Sequence, residues 1–281
     1  MGYLIGMGVI MAVYGIDVLM QIARLNLSSP DAINALWILQ IISTTIPLFA
    51  APVFFAYVIV KDPQDYLKPA VNFPWILIVL VFCIMFISSP LIELLSNINQ
   101  KLNLTGSLKP VQDWMREKED IGQKMTTVLL QMKTLGSMIK NVLLVGLLTA
   151  IAEEFMFRGV IQTIFTRWTK NHHAAIWITA ILFSAFHMEF FGFLPRLMLG
   201  VLFGYLVVWS GSIWPAVWGH FINNGTAVVV TYLYQHKKIT INPDDQHLFN
   251  YSGYLFSLII VVFLLYMYQY IALGNKQPQA D

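Results

Sequence analysis

Charge is what this sequence has least of. Asp, Glu, Lys and Arg make up 11% of its 281 residues, against a hydrophobic share of 57%, a balance far outside that of soluble domains. The formal net charge of +2 is too small to suggest nucleic acid as a partner. The single cysteine, Cys83, lies in an apolar run; it has no partner for an internal disulfide and reads as packing. The N-terminus has no basic segment and no clear cleavage site, so a removable signal peptide is not expected. Gly6 stands where a myristoylation signal needs Ser or Thr. The chain has no alignable internal repeat and no low-complexity tract beyond the polar tail that begins at Gly274. It also lacks a His-Glu-x-x-His helix and a Gly-x-Ser-x-Gly elbow, which removes two common hydrolytic signatures.

What is there is length of apolar run. Stretches near or above the roughly 18 residues needed to cross hydrocarbon recur along the chain. They are continuous rather than alternating, which argues against a β-barrel. The expected fold class is all-α, a polytopic membrane protein of one membrane domain over 1–281. Eight spans are expected, at 3–23, 36–60, 73–95, 139–165, 174–191, 194–210, 213–233 and 253–273. The first three fill an N-terminal part, 1–95. Residues 96–138 hold ten of the 32 charges, and from Asp113 to Ile139 apolar residues recur at 3–4 spacing. That pattern predicts an amphipathic helix lying along the interface and leading into the fourth span. Phe191-Gly192-Phe193-Leu194-Pro195 predicts a tight turn between the fifth and sixth. The loop 234–252, with His236 and His247, reads as solvated, as do His172 and His173. Trp and Tyr gather near span ends, as at Trp37, Trp75 and Trp168, where interfacial belts place them. Gly200-x-x-x-Gly204 predicts close helix packing. Lys and Arg in the short loops divide almost evenly between the two sides, so they assign no orientation.

Within the spans, ionisable and amide side chains cost roughly 2.5–3.5 kcal/mol each on insertion scales and need a reason to be there. Apart from Asp17, read as a structural or interfacial group, they cluster between Glu153 and Asn224 on four consecutive helices. Helical spacing sorts them. Glu154 and Arg158 are four apart, acid first, and can pair on one face. Glu153 is turned about 100° away and has no local partner, which suits it to act as a general base. Phe183 and His187 share a face, as do His220 and Asn224, with Asn223 a runner-up. A carboxylate and an imidazole can hold and deprotonate a water, and a second imidazole with an amide N–H can stabilise an oxyanion. Glu153 and His187 sharing one water would stand about 4–6 Å apart, with His220 and Asn224 on the opposite side of the same cavity.

Glu153-Glu154-x-x-x-Arg158, Phe183-x-x-x-His187 and His220-x-x-x-Asn224 resemble, in order and in placement, the three motifs of the CPBP intramembrane proteases. That family comprises the CAAX prenyl endopeptidases and the bacteriocin-processing or Abi proteins. The likeness includes Phe157-Arg158-Gly159 and covers about 139–233. It implies an eight-helix endopeptidase acting on membrane-tethered or lipidated (CAAX-type prenyl) substrates, multi-pass in a bacterial plasma membrane. Glu153 and His187 would activate water, His220 and Asn224 would form the oxyanion site, and Glu154, Arg158 and Phe183 would support them. The reading favours no cofactor. The alternative is zinc on Glu153, His187 and His220, which are acceptable ligands although no pair of histidines one turn apart is present. The rival functions are a non-catalytic scaffold or immunity protein, or an ion- or proton-coupled transporter built on the same polar cluster. The bilayer and a membrane-tethered peptide or protein are the expected partners.

Overall fold

The computed structural model describes residues 2–240, 242 and 248–274; His247 and most of the polar tail lie outside them. All regular structure among them is helical, as the composition predicts. The helices are α1 (Gly2–Ala23), α2 (Pro30–Ile59), α3 (Ile76–Ile87), α4 (Ser89–Gln100), α5 (Lys109–Leu129), α6 (Leu135–Thr169), α7 (His172–Phe186), α8 (Phe193–Ser210), α9 (Trp214–Gln235) and α10 (Tyr251–Gly274). Local chemistry sets several starts. The Ser29 hydroxyl accepts from Ala32 N ahead of Pro30, and Thr134 and Ser137 cap each other reciprocally. The Asn171 carboxamide accepts from His173 N and Ala174 N. Each satisfies donors that the first helical turn leaves unpaired.

Among the described residues five helices are long and apolar enough to cross a membrane, or six if α3 and α4, bent by 45°, form one broken span. The count of eight expected from sequence is not reached by this measure, for two reasons. The fifth expected span is only the 15-residue α7, about 22 Å long at 1.5 Å per residue. The seventh, α9, is long, but His220, Asn223 and Asn224 dilute its apolar character. The third span is also not the single helix expected over 73–95: it breaks at Ser88, just before Pro90, and continues to Gln100. A proline there cannot donate the hydrogen bond that would carry the helix on. Nor does α5 run into the next span. It ends at Leu129, and Thr134 caps a fresh helix.

The outward face follows from the solvent. On α10, Leu255, Ile259, Val262, Phe263 and Tyr266 are exposed, which only a hydrocarbon environment makes inexpensive. Inside, Leu77, Val81, Phe203, Leu206 and Tyr268 join α3, α8 and α10 in one apolar cluster. Glu93 of α4 accepts from Leu248 N, Phe249 N and the Tyr254 hydroxyl, tying down the start of α10. At one end of the bundle the Gln235 side chain bridges Met132 N and Leu130 O. At the other, Lys68 donates to Thr163 while Ser212 and Trp214 donate to Ala70 O and Pro69 O. Asp17 is exposed on α1, and His173 is exposed as expected while sharing a 2.7 Å hydrogen bond with the Tyr205 hydroxyl.

The Gly200-x-x-x-Gly204 stripe lies where α8 meets α7. A Cβ at Gly204 would stand 2.8 Å from Ile176 Cγ2 and 2.8 Å from Gln162 Oε1, and one at Gly200 would stand 3.0 Å from Ala180 Cβ. Ile176 is β-branched and cannot swing aside. Gly204→Ala should therefore lower the melting temperature in detergent by an amount equivalent to about 1–3 kcal/mol. Gly8→Ala, with no atom within 4 Å of the added carbon, should leave it unchanged; equal effects would contradict this packing.

Candidate active site

Glu153 and Glu154 stand on α6 immediately before a π-helical stretch, Phe155–Ile161. Such widened turns recur at functional sites because they re-aim neighbouring side chains. The Glu154–Arg158 pairing read from the spacing is present: Nη1 lies 2.9 Å from Oε1, with both side chains at 0% exposure. The guanidinium has further partners. Its Nη2 donates to Gly200 O at 3.3 Å, and its plane lies over the rings of Phe183, at 4.2 Å, and Phe203, at 5.4 Å. One turn along, Gln162 donates to Gly204 O at 3.3 Å. Two side chains four apart on α6 thus reach two glycine carbonyls four apart on α8, using lone pairs that the helix leaves free. Without a side chain at either glycine, the backbone comes within reach.

Glu154 does more than neutralise the arginine. The same Oε1 accepts a hydrogen bond from His220 Nδ1 at 2.8 Å, across 66 positions of sequence. The His220 ring stacks on Phe203, with centroids 5.4 Å apart and planes at 18°, and meets the edge of Phe183 at 5.9 Å. Carboxylate and rings together fix its orientation. At the end of α7, His187 Nδ1 donates to Phe183 O at 2.8 Å, and the two rings pack edge to face at 4.9 Å. In both histidines the acceptor at Nδ1 puts a proton there, which turns Nε2 inward as the free nitrogen.

The two Nε2 atoms converge on one oxygen. Glu153 Oε2 lies 3.7 Å from that of His187 and 3.8 Å from that of His220. It is buried and has no hydrogen-bond partner among the described residues. These separations fall just under the expected 4–6 Å. They are too long for direct hydrogen bonds and short enough for all three atoms to contact one water. His220 thus stands beside Glu153, whereas the spacing argument put it across the cavity. Access differs between the rings: the His187 side chain is 24% exposed and that of His220 5%.

Glu153, His187, His220, Asn223 and Asn224 line one cavity of about 740 Å³, walled by α2 and by α4 to α9. Asn224 Nδ2 donates to Val145 O at 3.3 Å, and Asn223 Nδ2 donates to Asn224 Oδ1 at 3.1 Å. One amide N–H of each is therefore committed, that of Asn224 to the wall and that of Asn223 to Asn224, and one of each is left over. An ion pair between Glu189 and Arg196 borders the same space. Sequence reasoning missed Phe203, whose only signal was its place inside the glycine stripe, and missed the contribution of α5 to the wall. Among the described residues no group of three His, Cys, Asp or Glu side chains is arranged to hold a metal ion.

Residues 136–226 match the model of the family described as Type II CAAX prenyl endopeptidase Rce1-like, and that segment contains all three motifs. A curated relative, the uncharacterized protein YpbD of Bacillus subtilis (strain 168), is 30% identical over 88 residues, or 30% of this chain and 42% of that protein. The chain therefore spans less than half of that relative's length. No solved structure matches. The resemblance read from the motifs is thus met over the helices that carry them, and the remaining helices are outside it.

Removing one member of a buried ion pair leaves the other charge uncompensated, at a cost of about 3–5 kcal/mol. Arg158→Ala and Glu154→Ala should both lower the melting temperature in detergent by that equivalent. Glu153→Gln keeps the shape and breaks no direct hydrogen bond, the nearest imidazole nitrogens being 3.7 and 3.8 Å away, so it should melt within about 1 kcal/mol of the parent. Equal losses in all three would refute the separation of supporting and reactive glutamates.

Proposed function

We propose that this chain is an intramembrane endopeptidase that hydrolyses membrane-tethered or lipidated peptides, of the CAAX prenyl type, by attack of water. The observation that carries the reading is the convergence of the Glu153 carboxylate with two imidazole Nε2 atoms whose Nδ1 positions are already occupied. The Glu153 carboxylate and the free Nε2 of His187 favour an O–H donor between them. A water there donates to Glu153 and to His187, leaving an oxygen lone pair for the scissile carbonyl carbon. As the C–O bond forms, Glu153 takes the water's proton and the carbonyl oxygen becomes an oxyanion. A proton that His220 Nε2 has taken from bulk water before the attack makes that ring a donor to the oxyanion and stays on the ring afterwards, with Glu154 balancing its positive charge. The uncommitted N–H of Asn224 is a second donor, and that of Asn223 is placed to serve the same purpose. Collapse breaks the C–N bond, and Glu153 returns the proton to the departing amine. General base and oxyanion donors act without reorganisation because packing and hydrogen bonds already hold them.

A scaffold or a transporter would keep the cluster but not turn over substrate. Purified protein should cleave a lipidated reporter peptide in detergent or vesicles. Glu153→Gln should lower the rate by at least about 10²-fold, the lower end of general-base contributions, while melting normally. EDTA should leave cleavage unchanged. Loss of cleavage with about one zinc per chain, restored by adding zinc back, would overturn the metal-free route. An inactive parent with an intact fold would favour the scaffold.

A further inference from the structure

A second cavity, of about 850 Å³, opens at one end of the bundle where α1 finishes, α2 and α6 begin and α5 ends. Its charged lining residues are Arg24, Lys124, Lys133 and Lys140, with no Asp or Glu among the lining. None of the four forms an ion pair among the described residues. In a chain with only 11% charged residues, four exposed cations with no ion-pair partner and no carboxylate beside them single out this space. An anion placed among them is attracted by all four.

The rest of the lining says what kind of anion fits. Trp37, with Lys140 Nζ over its ring at 4.9 Å, forms part of one wall together with Leu27 and Leu129. The cavity is thus basic and polar on one side and apolar on another. It lies at the level where membrane helices α1, α2 and α6 end and the amphipathic α5 lies alongside. We infer that this cavity binds the phosphate headgroup of an anionic phospholipid, with the four cations around the phosphate and the apolar wall against the glycerol and the first acyl carbons. Basic pockets between helix ends at the membrane surface recognise such headgroups by this combination. The inference does not depend on the hydrolytic reading of the other cavity.

The test uses the full chain in a neutral detergent, titrated with short-chain phosphatidylglycerol, short-chain phosphatidylcholine or inorganic phosphate, with melting temperature as the readout. Ligand that binds the folded state raises its stability by mass action. Phosphatidylglycerol should raise the melting temperature by several degrees in a saturable way, and phosphatidylcholine should not. The variant R24Q/K133Q/K140Q should lose most of that rise, whereas K101Q/K118Q, which removes two exposed cations outside the cavity, should keep it. Should the triple variant fail to fold, Lys124→Gln alone, which breaks no described side-chain contact, should weaken half-saturation by several-fold. Equal shifts with phosphatidylcholine, or an undiminished shift in the cavity variants, would overturn the inference. An equal shift with inorganic phosphate would overturn the lipid assignment.

Discussion

The constraint on which the site depends is a buried positive charge. Arg158 has 0% side-chain exposure in the middle of a helix that otherwise reads as membrane-spanning. A guanidinium there needs a counter-charge, acceptors for its N–H groups and a tolerant surface for its flat faces. Glu154 supplies the first, Gly200 O the second, and the rings of Phe183 and Phe203 the third. The first lies on its own helix, and the other two recruit new ones. Reaching the glycine carbonyl brings α8 against α6, and stacking on Phe183 brings in α7. The carboxylate oxygen that holds Arg158 also holds His220 of α9. One charge therefore organises four of the helices that wall the cavity.

The adjacency of the two glutamates then acquires a physical meaning. Side chains one residue apart on a helix point about 100° away from each other. With Glu154 committed to Arg158 and His220, Glu153 faces the remaining direction, toward the cavity. Its position relative to the histidines is set indirectly. His220 is held from behind by Glu154, and His187 is held by the carbonyl of its own helix four residues back. Phe183 contacts both rings and the guanidinium. It serves as a shared wall, which explains why an aromatic residue and a histidine occur together at that spacing.

Much of this was legible in sequence, and what was legible was local. The all-helical membrane class follows from apolar run length, and the Glu154–Arg158 pair from a spacing of four. The link between Glu154 and His220 was not legible, because it joins residues 66 apart and depends on how α6 and α9 pack. Spacing along α9 puts His220 and Asn224 on one face, which says nothing about which side of a cavity that face meets; hence His220 stands beside Glu153 rather than across from it. The span count departs from expectation for a related reason. The polar residues that give α9 its chemistry lower the hydropathy by which a span is recognised, and the break at Ser88 divides one long apolar run into two helices.

The amphipathic α5 connects these themes. Its sequence carries the densest charge in the chain, and it lies on the bundle instead of crossing it. Gly122, Met125 and Thr126 from one stretch of α5 wall the cavity that holds Glu153, while Lys124 and Val128 line the basic cavity. Leu129, together with Trp37 of α2, lines both. A single helix turn thus separates a space suited to an anion from a space suited to water attack on an acyl group. Because a helix is stiff along its axis, the position of α5 over the bundle cannot change at one cavity without changing at the other. The interface at which α5 lies is therefore part of the wall that shapes the polar interior.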